Sequence, residues 1–242
     1  RLLQRDLPQH QSGHRGHEEA LPAVLLPRRI PSHTAPETPG SINEGGELGY
    51  SLAHAFGAVT GQPQPDCRLC GGSAEAETGP LATSWHSNKF LNPITDGAVL
   101  PILHLNGFQI ANPTIFSRLS HEETEMFFKG CGWEPALWRG TSRQMHQKMA
   151  AALDWAVREI QRIQQGAREF GETARPRWPM LVFRSPKGWT CPKEVDGAPT
   201  EGTFRAHQLP VAVDAAHLEH LEVLERWLRS YRPRSSLTRT GA

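Results

Sequence analysis

The sequence lacks the features that would indicate a membrane-spanning or a secreted protein. It contains no run of about 18 apolar residues, so no segment is predicted to cross a bilayer as a helix. Its start, RLLQRDLPQH, has no apolar signal core and no initial Met, so we expect a fragment or an internal start. Four cysteines in 242 residues are too few for a disulfide scaffold, which favours a reduced, cytoplasmic protein.

An excess of charge of either sign is also absent. The 26 Lys and Arg residues nearly balance the 25 Asp and Glu residues and leave a net charge of +1. This balance gives no electrostatic reason to expect nucleic acid or an anionic membrane as a partner. Proline is plentiful, with 20 residues, and the hydrophobic share of 38% is somewhat low for a globular protein. We therefore expect one folded core with long irregular stretches attached to it.

Apolar periodicity in the middle of the chain predicts an α/β fold. Buried or short strands are predicted at DGAVLPILHL, WEPALWRG and PMLVFRS, which are residues 96–105, 133–140 and 179–185. The longest helix is predicted from Thr141 to about Gln165, and Ser120 with Glu123 forms a capping box for another helix. A last amphipathic helix is predicted over 214–231. Because helices and strands alternate, the sheet should be mainly parallel and flanked by helices.

Three stretches depart from this pattern. Residues 1–29 show neither helical nor alternating periodicity, and residues 234–242 form a featureless tail. Residues 58–74 should contain a buried strand, but they hold no run of four apolar residues, and Pro63 and Pro65 cannot donate to a ladder. We therefore predict no well-formed central strand in that stretch.

Three loops have the composition of ligand-binding segments. A Gly-rich turn at 44–49 precedes a small-residue helix, where glycines let the backbone approach a ligand. Asn106-Gly107-Phe108 follows a predicted strand, at the edge where α/β folds bind ligands. A long loop at 186–208 suits a phosphorylated ligand because it clusters four basic or ionisable side chains, Lys187, Lys193, Arg205 and His207. The alternatives are an ordinary helix start, a turn and a solvated loop.

Other residue clusters could hold a metal or move protons. Cys67 and Cys70 form a CxxC pair, but a zinc site needs three or four ligands, and no second pair follows at finger spacing. Glu75 and Glu77 could act as an acid/base pair, or could lie in a solvated loop. Metal-like spacing also occurs in the irregular amino-terminal stretch, at His10, His14 and His17.

Four long runs resemble the amino-terminal, cofactor-binding domain of phosphoketolases. They are IPSHTAPETPGSINEGGELGYSLAHAFGA, EAETGPLATSWHSNKFLNPITDGAVLPILHLNGFQIANPT, RPRWPMLVFRSPKGWTCPKEVDGAPTEGTFRAHQLP and LERWLRSYRP. With the helices between them, these runs cover residues 30–57 and 75–233. The resemblance implies a thiamine-diphosphate-binding α/β fold that is incomplete here, with the family domain at 30–233 and a disruption at 58–74.

The resemblance also implies a chemistry. Phosphoketolases are aldehyde-lyases of carbohydrate metabolism that use thiamine diphosphate and Mg²⁺. They cleave xylulose 5-phosphate or fructose 6-phosphate with inorganic phosphate, and they release acetyl phosphate and an aldose phosphate. The family implies a homodimer, without a nucleic-acid or membrane partner. The cofactor carries the difficult step, and protein groups position it and move protons.

Single residues receive roles from the same resemblance. Asn106 and the Phe108 carbonyl oxygen match two ligands of the magnesium that bridges the diphosphate. His207 matches a histidine near the diphosphate and the substrate, which is suited to proton transfer, and Lys187 matches a lysine in the same pocket. Glu75 is a further expected cofactor contact. The turn that lies against the cofactor is matched by Gly46, Glu47, Leu48 and Gly49.

Departures from the family pattern predict that this chain is inactive on its own. The family reads GDGEAETG where this chain reads GSAEAETG, so Ser73 stands at the position of the metal-binding Asp. Asn43 stands at the position of a catalytic histidine, and Asn cannot shuttle a proton near neutral pH. The upstream GPGHG segment and the carboxyl-terminal domain, whose Glu activates the aminopyrimidine, are not found.

The resemblance ends abruptly at the edges of 1–28, 58–74 and 234–242, whereas gradual divergence would blur such edges. Our hypothesis is that these stretches are read out of frame. Three functions are considered: a fragment of an active phosphoketolase, a non-catalytic remnant that folds or pairs with an intact subunit, and a small metal-binding module on Cys67 and Cys70.

Overall fold

The structure of the protein is a computed structural model. It describes residues 35–36, 41–43, 45–64, 67–140, 144–207, 210–214 and 216–232, and it gives only the backbone of residues 67–70. The predictions for residues 1–29 and 234–242, and for the three closely spaced histidines of the amino-terminal stretch, lie outside the described residues.

Helices and strands alternate along the described chain. The helices are α1 (Ser51–Val59), α2 (Ser73–Ala76), α3 (Gly79–Ser84), α4 (Ile115–Arg118), α5 (His121–Gly130), α6 (Gln144–Glu169) and α7 (Glu219–Ser230). The strands are β1 (Cys67–Gly72), β2 (Val99–Leu105), β3 (Phe108–Gln109), β4 (Asn112–Pro113), β5 (Trp133–Arg139), β6 (Trp178–Arg184), β7 (Glu194–Val195) and β8 (Ala198–Pro199). Single 3₁₀ turns occur at Ser87–Phe90 and Phe204–Ala206.

The main sheet has four strands in the order β1-β2-β6-β5, and every pairing within it is parallel. The predicted mainly parallel sheet flanked by helices is therefore confirmed. Two small antiparallel hairpins, β3–β4 and β7–β8, lie in the segments that follow β2 and β6. The carboxyl ends of the parallel strands meet at one edge of the sheet, which is where ligands bind in folds of this kind.

We predicted no well-formed central strand within 58–74, and the structure forms an edge strand there, paired to one neighbour in the described part of the sheet. Cys67–Gly72 form β1, which pairs in parallel with β2 from Cys67↔Val99 to Gly72↔His104. Both prolines of the stretch precede the strand, so neither one removes a ladder donor. In the described part of the sheet, β1 is an edge strand. Backbone pairing to β2 forms it without the run of apolar residues that the sequence criterion required.

The core lies against the strands and is built from large apolar side chains. Trp133 at the start of β5 is 0% exposed, and Trp178 at the start of β6 is 1% exposed. Leu52 and Val59 of α1 belong to the same cluster of buried side chains. Burial of Leu52 and Val59 against the strands thus supplies packing that stabilises α1.

The starts of two helices can be compared with their predictions from the sequence. The capping box at Ser120 and Glu123 is confirmed, with both reciprocal hydrogen bonds present. The last helix begins at Glu219 rather than at Asp214. Asp214 Oδ1 instead accepts hydrogen bonds from the backbone of Ala216 (2.8 Å) and His217 (3.0 Å), in a turn that precedes the helix.

No helix in the described part of the chain is long and apolar enough to cross a membrane.

Candidate functional site

Two of the predicted site residues meet at the carboxyl edge of the sheet. Ser73 follows β1 directly and Asn106 follows β2 directly. The Asn106 backbone N–H donates to Ser73 Oγ at 2.8 Å. The structure thus brings together two positions that are 33 residues apart in the sequence, because neighbouring parallel strands end side by side.

The oxygen atoms at this corner are engaged in bonds within the protein. Ser73 is 1% exposed, and its hydroxyl donates to the His104 carbonyl oxygen at 3.3 Å while it accepts from Asn106. Asn106 Oδ1 accepts from the Phe108 backbone N–H at 2.9 Å, which closes a local turn. The corner is therefore a hydrogen-bonded link between the ends of β1 and β2.

Glu75 connects the second predicted segment, the Gly-rich turn, to the sheet edge. Its Oε1 accepts from the Gly49 backbone N–H at 3.3 Å and from the Ser51 hydroxyl. Gly49 has φ of +108°, and a Cβ there would lie 2.6 Å from Thr78 Oγ1, so only glycine fits. Residues 46–48 of the same turn are exposed.

Other predicted residues have separate surroundings. Glu77 Oε1 accepts from the Phe116 backbone N–H at 2.8 Å, so Glu75 and Glu77 face different partners and do not form an acid/base pair. Asn43 Oδ1 hydrogen-bonds with Nδ1 of His54 on α1. The structure therefore places the Asn43 side chain against α1.

Lys187 lies beside the loop that follows β2. Its side chain is buried, with 6% of the residue exposed. Its Nζ donates to the Ile110 carbonyl oxygen at 2.7 Å and lies 5.6 Å from the centroid of the Phe108 ring. Burial lowers the pKa of Lys187, because the charged form is desolvated. A buried ammonium held by a carbonyl and a ring is suited to binding an anionic group.

The cations of the 186–208 loop do not converge. Lys193 Nζ forms an ion pair with Glu201, and the guanidinium of Arg205 lies over the Phe204 ring at 4.9 Å. His207 is exposed and follows a 3₁₀ turn. Among the described residues, no hydrogen bond or ion pair joins the His207 side chain to Lys187. The loop also contains β7 and β8, which the sequence did not predict.

Sequence reasoning missed His104. Its Nε2 lies 2.7 Å from Ser185 Oγ, and its ring stacks on Phe183 with 4.5 Å between centroids. Burial lowers the pKa of His104, which favours a neutral ring. The available signal was a lone ionisable residue within an apolar strand, two positions before Asn106.

The residues at this corner do not fit a magnesium ion. Mg²⁺ requires near-octahedral oxygen geometry and is usually bound through carboxylates. The Ser73 hydroxyl and the Asn106 amide are neutral and already bonded, and the Glu75 carboxylate faces Gly49 and Ser51 instead. In the described part of the chain, no group of three or more His, Cys, Asp or Glu could hold a metal ion.

Comparison with known proteins identifies the family. The sequence profile described as "XFP N-terminal domain" matches residues 3–242. The match runs through residues 3–28, 58–74 and 234–242, for which a frame slip is hypothesised, and the nucleotide sequence is the test of that hypothesis.

Curated relatives show high identity over most of this chain. A "Probable phosphoketolase" of Rhodopirellula baltica is 61% identical over 217 residues, which are 89% of this chain and 27% of the relative. A "Probable phosphoketolase" of Clostridium acetobutylicum is 61% identical over 209 residues, covering 86% of this chain and 26% of the relative. A "Probable phosphoketolase 2" of Lactiplantibacillus plantarum is 55% identical over 217 residues, covering 89% and 27%. The chain thus spans about a quarter of the length of these relatives, and it belongs to the phosphoketolase family through its XFP N-terminal domain.

Proposed function

We propose that this chain is a portion of the cofactor-binding domain of a phosphoketolase, and that it has no catalytic activity on its own. The parent reaction is the cleavage of xylulose 5-phosphate or fructose 6-phosphate with inorganic phosphate, which gives acetyl phosphate and an aldose phosphate. Identity of 55–61% to curated phosphoketolases over most of the chain supports this assignment. Thiamine diphosphate, the homodimer and the cytoplasmic location stay predictions from the resemblance and the composition.

The bonds of Ser73 carry the proposal that this chain is inactive. The strand-end corner holds the Ser73 hydroxyl in place of a carboxylate. This hydroxyl donates to the His104 carbonyl oxygen and accepts from the Asn106 backbone N–H. A magnesium ion bound to a diphosphate needs anionic oxygen ligands to offset its charge. Without such a ligand, the corner links two strands but does not hold a metal.

The parts of the site that remain can bind and orient an anionic group. Lys187 offers a buried positive charge whose described hydrogen bond goes to the neutral Ile110 carbonyl oxygen. A phosphate oxygen would be a stronger acceptor for that ammonium than a carbonyl oxygen. Glu75 ties the turn before α1 to the sheet edge through its hydrogen bonds with Gly49 and Ser51.

The alternative function is a non-catalytic remnant that folds or pairs with an intact subunit. The exposed leucines of the last helical segment favour it: Leu218, Leu221 and Leu228 are 68%, 54% and 52% exposed. Their spacing places them on one helix face, and such a face suits association with further polypeptide.

Retention of thiamine diphosphate tests whether the cofactor contacts that remain in this chain suffice to bind the cofactor. The purified chain is incubated with Mg²⁺ and thiamine diphosphate, desalted, and assayed for retained thiamine by oxidation to thiochrome. A remnant retains none, whereas a stoichiometric amount would support a working cofactor domain. Zinc content, measured on the same protein by atomic emission, tests the third function. A stoichiometric zinc ion would assign a metal site to Cys67 and Cys70.

A further inference from the structure

His104 contacts residues at the ends of two other strands along the carboxyl edge of the sheet. It lies on β2, and its carbonyl oxygen accepts a hydrogen bond from Ser73 Oγ, immediately after β1, at 3.3 Å. Its imidazole Nε2 lies 2.7 Å from the hydroxyl of Ser185, immediately after β6. The ring also stacks on Phe183 of β6. One side chain therefore connects β2 to a turn that begins 81 residues later.

The direction of the hydrogen bond between His104 and Ser185 follows from the other contact of the serine. Ser185 Oγ also donates to the Pro186 carbonyl oxygen at 3.3 Å. A hydroxyl has a single hydrogen, and with that hydrogen directed at Pro186 the 2.7 Å contact needs an Nε2–H, so we assign this tautomer to His104. The Ser185 backbone N–H donates to the Leu105 carbonyl oxygen at 3.3 Å. Ser185 is 8% exposed and is thus tied to β2 through both its backbone and its side chain.

Lys187 lies two residues beyond this anchor. Pro186 stands between them, and its ring restricts the backbone dihedral φ, so the orientation of Ser185 is transmitted to Lys187 with little freedom. The far end of the turn is held by the bond between Lys187 Nζ and the Ile110 carbonyl oxygen (2.7 Å). The turn 185–187 is therefore fixed at both ends.

We propose that His104 is a positioning residue, and that its imidazole holds the turn 185–187 so that the Lys187 ammonium stays buried beside Phe108 and Ile110. An apolar side chain at position 104 could fill the same space and stack on Phe183. It would leave the Ser185 hydroxyl without its donor. The proposal rests on the proposed function only for the importance of Lys187 as an anion-binding group, since the contacts themselves are independent of any activity.

The accessibility of the Lys187 amine tests this role in the full chain. The protein is treated briefly with an acetylating ester, and the acetylation rates of Lys187 and of the exposed Lys148 are compared by peptide mass spectrometry. His104→Phe keeps the stacking and loses the donor, whereas Ser185→Ala loses the same bond from its other side. His104→Gln keeps an N–H at the place of Nε2.

We expect Lys187 to be acetylated about fivefold faster in His104→Phe and in Ser185→Ala, because one hydrogen bond contributes about 1 kcal/mol. The double variant should show no further increase, because both changes remove one bond. His104→Gln should leave the Lys187 rate within about twofold of the unchanged protein, because its amide restores the donor.

Three outcomes would overturn the proposal. The first is an unchanged Lys187 rate in both single variants. The second is an equal acetylation rate of Lys187 in His104→Gln and His104→Phe, which would show that His104 acts through packing and not through its hydrogen bond. The third is equal acceleration of Lys187 and Lys148, which would show general loosening. Cofactor retention and turnover do not enter the measurement, so failure of the proposed function would leave its result standing.

Discussion

Replacement of Ser73 tests the link between β1 and β2. Ser73→Ala removes both hydrogen bonds of a side chain that is 1% exposed. The Asn106 N–H and the His104 carbonyl oxygen then lose the partner that Ser73 provides. A buried unsatisfied polar group costs about 1–3 kcal/mol, so we expect the free energy of unfolding to fall by about 2 kcal/mol.

Urea unfolding followed by tryptophan fluorescence is the assay, since Trp133 and Trp178 are fully buried and report on the core. Ser117→Ala is the matched control, because Ser117 is exposed and makes one local bond, to the Thr114 carbonyl oxygen. We expect a change within about 0.5 kcal/mol for this control. A Ser73→Ala protein as stable as the unchanged chain would refute the reasoning.

Ser73→Asp adds a test for metal. The carboxylate can accept from the Asn106 N–H, but it cannot donate to the His104 carbonyl oxygen, so the variant should be less stable than the unchanged chain without metal. Mg²⁺ should restore its stability, by about 2.7 kcal/mol at a concentration one hundred times the dissociation constant. The unchanged chain should gain nothing from Mg²⁺, and a gain there would show that the corner does bind metal.

Three further predictions concern the turn before α1, the pH dependence of stability and cofactor affinity. Gly49→Ala should lower the free energy of unfolding by about 2 kcal/mol, because φ is +108° and the new Cβ meets Thr78. The control Gly57→Ala lies within α1, where a Cβ meets nothing within 4 Å, and it should raise the free energy of unfolding by up to about 1 kcal/mol. Equal effects of the two substitutions in urea unfolding would contradict this prediction. The pKa of His220 is raised, first by its hydrogen bond to Asp196 and then by the Ala212 carbonyl oxygen. Its stabilising contribution is therefore complete below about pH 6.5, the unfolded-state pKa, and is lost as pH rises through the folded-state pKa. Unfolding measured across pH should show that loss, and His220→Gln should remove it. Finally, in proteins spliced onto an intact carboxyl-terminal half, magnesium–thiamine diphosphate should bind at least tenfold more weakly to the unchanged chain than to Ser73→Asp, which is about 1.4 kcal/mol by calorimetric titration; equal affinities would mean that Ser73 is not at the metal position.

Periodicity predicted the central elements because their signals are local and strong. The apolar runs of β2 and β6 and the capping box of α5 appear where the sequence places them. The strand β1 was missed because its sequence, CRLCGG, has little apolar character, and its pairing with β2 supplies what composition does not. The start of α7 was misplaced because Asp214 caps a turn as readily as a helix.

The site was predictable only in part, for a similar reason. The strand-end rule placed Asn106 at the carboxyl edge of the sheet, and the family resemblance alone singled out Ser73. The structure brings the two together, with the Asn106 backbone nitrogen 2.8 Å from Ser73 Oγ. The bond from His104 to Ser185 joins residues 81 positions apart, and no local pattern encodes it. The same holds for the contact of Lys187 with Ile110, which spans 77 positions.

Acetyl phosphate formation by the purified chain tests the central claim most directly. The chain is supplied with xylulose 5-phosphate or fructose 6-phosphate, inorganic phosphate, Mg²⁺ and thiamine diphosphate, and the product is trapped as its hydroxamate. We predict no signal above a heat-killed control, because the corner where a metal would have to bind offers the Ser73 hydroxyl, bonded to the Asn106 backbone N–H and the His104 carbonyl oxygen, in place of a carboxylate. Turnover above that control would contradict the account.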